Sequence, residues 1–224
     1  MYSIDQYITQ LNTDKETLVD NLVTKGIEAS DNETFTTLVP KVLDIQSGVD
    51  ISEYFKIANV EGNGDGYNTF IKKVPAFTSV GTNLQYLFYG LIGLEELPLI
   101  DTSNVTNMTN MCFHCQTITT LPQYNTSSVT NFDRFCYGCS SLANVPILNL
   151  TNATQINQMF QSCPSLTDTS LDNILQMCIN ATSYAGGKTL KVLLGQNTSV
   201  YPTTRIQALP HYQDFIDAGW TIGY

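Results

Sequence analysis

The chain has 224 residues and a formal charge of −10 at neutral pH, long enough for one repeat array plus a small extra domain. Twenty acidic residues against ten basic ones argue against a nucleic-acid grip, which needs clustered Lys and Arg, and against anionic membrane surfaces. No stretch approaches the roughly 18 apolar residues of a membrane span, and the opening MYSIDQYITQ lacks the basic-then-apolar pattern of a signal peptide.

Residues 3–22 predict two short helices. Ile4, Tyr7, Ile8 and Leu11 share one face of the first. Thr13-x-x-Glu16 reads as a capping box opening the second, with Leu18, Val19, Leu22 and Val23 inside and Gly26 as its stop. Ser30-x-x-Glu33 caps a third helix that buries Phe35, Leu38, Val39, Val42 and Leu43, with Pro40 bending it or marking its start. Much of the acid lies in the first 55 residues, from Asp5 to Glu53, whereas residues 97–168 are nearly uncharged and rich in Thr, Asn and Ser. That shift places a domain boundary near residue 50. In residues 50–73, EGNGDGYNTF reads as a hairpin turn. Glu61, Asn63, Asp65 and Gly66 imitate half a calcium loop, but Lys72 stands where the bidentate Glu belongs.

Residues 97–168 write one 24-residue unit three times without a gap, starting at Leu97, Leu121 and Val145. A degraded copy begins at Val74. A fixed period of this length is the signature of a leucine-rich solenoid. The phrases Leu94/Leu97/Leu99, Ile118/Leu121/Gln123, Leu142/Val145/Ile147 and Leu166/Thr169/Leu171 end in period-two spacing and predict short strands. Val105, Met108, Met111, Cys112 and Cys115 have helical spacing. Each unit is therefore expected to run strand, loop, short helix, turn: an α/β leucine-rich-repeat solenoid of about four units. Pro75, Pro98, Pro122 and Pro146 fill one column and strain this reading, because proline cannot donate within a central strand.

After the repeats, LDNILQMCINA from Leu171 predicts a helix and KTLKVLLG from Lys188 a strand. ALPHYQDFIDAGWTIGY predicts a closing helix stopped by Gly219, then a short strand with Trp220 and Ile222. The organisation expected is a small N-terminal α-helical domain at 1–48, a hairpin-like connection and cap at 49–73, repeats at 74–172 and a C-terminal cap at 173–224. A cap is required because the last repeat would otherwise expose its core.

Two phrases, DTSNVTNMTNM and FCYGCSSLANV, resemble the repeats of BspA-like leucine-rich proteins of bacterial surfaces and phages, over about residues 73–172. The units at Val74 and Val145 lack the Asp-Thr-Ser phrase. About residues 3–46, which include the phrase from Thr13 to Ile45, are similar to a helical module on structural proteins of phages infecting Gram-positive bacteria; the other reading of this segment is an N-terminal cap of the solenoid. The closing AGWTI is similar to the caps of phage leucine-rich proteins. These resemblances imply a non-enzymatic virion protein: a head fibre or decoration, or a tail or baseplate component, assembled in the host cytoplasm. Residues 1–48 would join other virion proteins, and the solenoid would meet a host-surface glycan or protein. A homo-oligomer is expected. The alternative is a bacterial cell-surface adhesin.

Cys112-x-x-Cys115 and Cys136-x-x-Cys139 match a zinc-ribbon pattern. Their columns decide against it: Cys112 and Cys136 align with Phe88 and Phe160, while Cys115, Cys139 and Cys163 align with Leu91. Columns that accept Phe or Leu are core columns, where free Cys packs as a small hydrophobe. His114 aligns with Gly90, Gly138 and Ser162, so it reads as a turn residue pointing outward. No nucleophile elbow, phosphate loop or His-rich metal motif occurs, so no enzyme, metal or cofactor is expected. The candidate binding residues are those between inward strand positions: Glu96, Pro98 and Ile100; Thr120, Pro122 and Tyr124; Asn144, Pro146 and Leu148; Asp168 and Ser170. A second candidate face comprises the Thr/Asn/Ser loops at Asp101–Asn104 and Asn125–Ser128.

Overall fold

The computed structural model describes residues 4–24, 29–30, 32, 72–74, 81–195 and 200–223. The expected Gly26 stop, the helix around Phe35–Leu43, the turn in EGNGDGYNTF and Pro75 lie outside them. Helix α1 (Ile4–Thr24) is one continuous element of 21 residues, not two. No Gly or Pro interrupts it, and extending a formed helix costs less than nucleating another. Thr13 therefore lies mid-helix, and its carbonyl accepts the Thr17 hydroxyl at 2.9 Å. Leu18, Val19 and Leu22 are buried as expected, but Val23 is 54% exposed.

Residues 82–167 form a stack of turns, and this overturns the α/β leucine-rich solenoid. Among the described residues there is no strand and no sheet. Parallel pairing shrinks to isolated bridges: Asn83–Asn107, Asn107–Asn131, Asn131–Gln155, Thr120–Asn144 and Thr189–Thr221. The short helix of each unit is missing too. Along the second unit, Met108, Asn110, Cys112 and His114 donate their backbone N–H groups to Asn131, Asp133, Phe135 and Tyr137 of the next unit, at 2.7–3.0 Å. The intervening Met111, Phe113 and Cys115 fold back three residues, to Met108, Asn110 and Cys112. The same alternation runs through Leu84–Leu91 and Phe132–Cys139.

Left-handed backbone at fixed places causes the alternation. Tyr86, Asn110, Arg134 and Gln158 have φ of 65°, 52°, 54° and 59°; Gly90, His114, Gly138 and Ser162 have 71°, 57°, 73° and 60°. Both sets recur every 24 residues. Two left-handed residues four apart break an α-helix before it completes a second turn. Every second amide is thereby freed to bond the neighbouring rung, so the helical spacing of apolar residues packs a core without making helices.

The expected strands fail at proline. Pro98 and Pro122 fix φ and donate nothing, and the Tyr124 amide donates back to the Pro122 carbonyl at 2.9 Å. The inward residues then recur every third position, as in a polyproline-like segment: Leu94, Leu97 and Ile100; Ile118, Leu121 and Tyr124; Leu142, Val145 and Leu148. Leu99 and Ile147, expected inside, are 70% and 39% exposed, and Gln123 is exposed between them.

The fourth expected strand is absent because helix α2 (Asp168–Asn180) begins there, capped by Thr167, whose hydroxyl oxygen accepts the Ser170 N–H at 3.2 Å. KTLKVLLG forms the short helix α3 (Lys191–Leu194) instead of a strand. Its end closes the stack: Gln158 and Phe160 of the last unit donate to the carbonyls of Val192 and Leu193. Helix α4 (Thr203–Gln207) and helix α5 (Tyr212–Asp217) complete the cap, α5 packing on α2. Gly219 turns the chain after α5 at φ 83°, and Trp220 is buried against Phe215. The strand expected at Trp220–Ile222 is a single bridge at Thr221.

Candidate binding faces

The eleven predicted binding residues do not share one face. Glu96, Thr120, Asn144 and Asp168 are exposed, Pro122 and Pro146 are half-buried, and Pro98, Ile100, Tyr124, Leu148 and Ser170 are buried. Glu96 pairs with Lys73 Nζ at 3.0 Å on the open surface. Tyr124 sends its hydroxyl inward to the Pro98 carbonyl at 2.8 Å. Ser170 ties α2 to the stack, donating to the Ala143 carbonyl at 2.7 Å and accepting from Val145 N at 2.8 Å. Asp168 meets Arg205 Nε at 2.7 Å. Proline changes the period of the segment from two to three, and the predicted face divides accordingly. The exposed row is Leu99–Gln123–Ile147 instead.

The second predicted face is laid out in rows. Asp101, Asn125 and Asn149 each turn a side-chain oxygen back to the amide two residues on, in Ser103, Ser127 and Thr151. Hydrogen bonding to Ser103 lowers the Asp101 pKa. Beneath them, the buried Thr102 and Thr126 hydroxyls donate to the carbonyls of Asn125 and Asn149 at 2.8 and 3.0 Å. Next to these loops run two rows that sequence reasoning passed over. Thr82, Thr106, Thr130 and Thr154 form one; from Thr106 onward each gives both its amide and its hydroxyl hydrogen to the carbonyl of the Thr below. Asn83, Asn107, Asn131 and Gln155 form the other, in the bridge positions. The signal was available, because both columns repeat at the 24-residue period.

The cysteines are core residues. Cys112, Cys115, Cys136, Cys139 and Cys163 are fully enclosed, without disulfides. The Cys115, Cys139 and Cys163 thiols donate to the carbonyls of Phe88, Cys112 and Cys136 at 3.0–3.1 Å. Burial pushes the Cys115, Cys136, Cys163 and Cys178 thiols up from their ordinary range. His114 lies over Gly138 and beside the rings of Phe113 and Tyr137, and desolvation lowers its pKa. His211 is held by Asp172, through Nδ1 at 2.7 Å and its backbone N–H at 2.9 Å, which fixes the start of α5 on α2. Among the described residues no group of three His, Cys, Asp or Glu could hold a metal ion. Among them, too, no helix is long and apolar enough to cross a membrane.

The arrangement is that of a stacked-repeat protein with its reactive groups in the core and amide and hydroxyl rows outside. Residues 82–185 match the family model described as "Mycoplasma protein of unknown function, DUF285", which is BspA-like. The match covers the stack and α2, somewhat less than half of the chain. Neither the curated proteins nor the solved structures contain a match to this chain.

Proposed function

We propose that this protein is a non-enzymatic phage virion component, a head fibre or decoration or a tail or baseplate part, that displays its stack for attachment. Residues 1–48 join it to other virion proteins, and the stack meets the host surface or a neighbouring subunit. One observation carries the display reading. Amides spaced one repeat apart hold the units in register, so outward side chains form rows fixed by the backbone while the thiols face inward. Fixed rows suit recognition because little ordering entropy is lost on contact. The phage assignment draws on the likeness of residues 3–46 to phage structural modules.

Antibody-gold labelling of purified phage particles tests this. Label at one fixed place on the particle is the expected result, and that place separates head from tail or baseplate. Label absent from intact and disrupted particles but present on host cells would overturn it. That outcome would favour a second reading, a bacterial cell-surface adhesin, for which the match of residues 82–185 to a Mycoplasma family speaks.

A further inference from the structure

We propose that the twin rows Thr106/Thr130/Thr154 and Asn107/Asn131/Gln155 bind an extended, neutral polysaccharide lying along the stack. This names the partner of the display surface and rests on that reading. The step between rungs is visible in the aromatic column of the same stack: Tyr89–Phe113 and Phe113–Tyr137 stack with centroids 4.7 and 4.9 Å apart.

The hydrogen-bonding valences of the two rows differ. Thr106, Thr130 and Thr154 spend their hydroxyl hydrogens on the carbonyls of Thr82, Thr106 and Thr130, at 3.1–3.2 Å. Their exposed oxygens keep acceptor capacity. Asn107 does the reverse. Its side-chain oxygen takes the Thr109 amide at 2.9 Å and the Thr109 hydroxyl at 2.7 Å, leaving both amide hydrogens without a partner among the described residues. Asn131 accepts the Asp133 amide and gives one hydrogen to Gln155 Oε1 at 2.7 Å, and the Gln155 amide group keeps its own two. Each rung thus presents an acceptor and, one residue further, a donor. A vicinal diol of a sugar is the complement: one hydroxyl donates and its neighbour accepts. Repetition from rung to rung suits a polymer with one sugar over each rung.

Charge selects the neutral class. From Thr102 to Gln158 the only charged residues are Asp133 and Arg134. Both are engaged, Asp133 with the Asn157 amide groups and Arg134 with Gln158. With no cluster of Lys or Arg along the rows, nothing there draws in a polyanionic glycopolymer.

Affinity electrophoresis of the full chain in native gels tests the inference, with laminarin, soluble starch or hydroxyethylcellulose in the gel and alginate as polyanion. Retardation by at least one neutral polymer and none by alginate is expected. The triple variant T106V/T130V/T154V keeps β-branched shape and removes three acceptors, so it should weaken retardation about tenfold or more. Gln155→Met removes both donors of the rim rung and releases only the single Asn131 hydrogen that Gln155 accepted, so it should weaken retardation as well, at a position where folding is least at risk. Gln213→Ala, on α5, should change nothing. No retardation by any of the three neutral polymers, stronger retardation by alginate, or full retardation of a folded Gln155→Met protein overturns the proposal. Particle labelling is a separate readout: labelled particles without retardation sink the polysaccharide alone, and retardation without label sinks the virion reading alone.

Discussion

Gly138 and Ser162 occupy the same left-handed column, and the cost of that backbone depends on the side chain. At Gly138 a Cβ would stand 3.0 Å from the His114 ring as well as at φ 73°. Gly138→Ala should therefore lower stability by about 1–2 kcal/mol in urea unfolding. Ser162 already bears the strain at φ 60° and is exposed. Ser162→Gly should raise the urea midpoint, through a gain in unfolding free energy of up to about 1 kcal/mol. Opposite signs at equivalent positions would show that φ, not burial, sets the column's preference. The columns of His114 and the cysteines were legible because each position is read several times along one chain. The left-handed column through Tyr86, Asn110, Arg134 and Gln158 was not, since those side chains share no chemistry.

Each rung is an element held by hydrogen bonds to its neighbours, and Thr126 is its clearest rivet. The buried Thr126 hydroxyl donates to the Asn149 carbonyl at 3.0 Å and accepts the Asn149 amide at 2.8 Å. Valine keeps the shape but strands both backbone groups. Thr126→Val should cost about 1–3 kcal/mol by thermal or urea melting. Loss of less than a few tenths would mean water replaces the hydroxyl. The strands expected at this level were misread for a related reason. Two alternating apolar residues specify a strand only where backbone groups can pair, and Pro98 and Pro122 remove that possibility. Period three won, and Leu99 turned outward while Ile100 turned in. The C-terminal helix at Leu171 was legible from its apolar spacing; the α3 helix was not, because alternation in a short apolar run does not distinguish helix from strand.

The whole molecule depends on how the stack ends. Gln158 and Phe160 have their partners in α3, and Tyr201 reaches back from the cap to the Cys163 carbonyl and the Leu166 amide. Ending the chain after Tyr184 removes α3 to α5, and with them the cover of the last rung. The truncated protein should unfold without a sharp transition and aggregate; a cooperative, monomeric melt would show that the stack needs no C-terminal cover. Alkali attacks the same joint. Burial raises the Tyr201 hydroxyl to about 12, above its ordinary value near 10. Between those values the unfolded chain loses the proton first. Stability fully present below pH 10 is thus lost as pH rises toward 12. Urea midpoints should fall across that window, and less steeply in Tyr201→Phe. Equal slopes would assign the loss to the buried thiols or to Tyr124, whose hydroxyl burial also raises.

By itself the sequence determined the 24-residue period, the burial of the cysteines in its columns and the helix that follows the last repeat. Repetition carries that information: a position that tolerates Phe, Cys and Leu in successive copies must face a shared core. Tertiary structure alone decided what the backbone does within each copy. Apolar spacing says which residues face inward, but not whether the amides between them bond along the chain or across to the next rung. That choice rests on left-handed residues and prolines acting on the whole stack, where each rung's donors are satisfied only once its neighbour is in place.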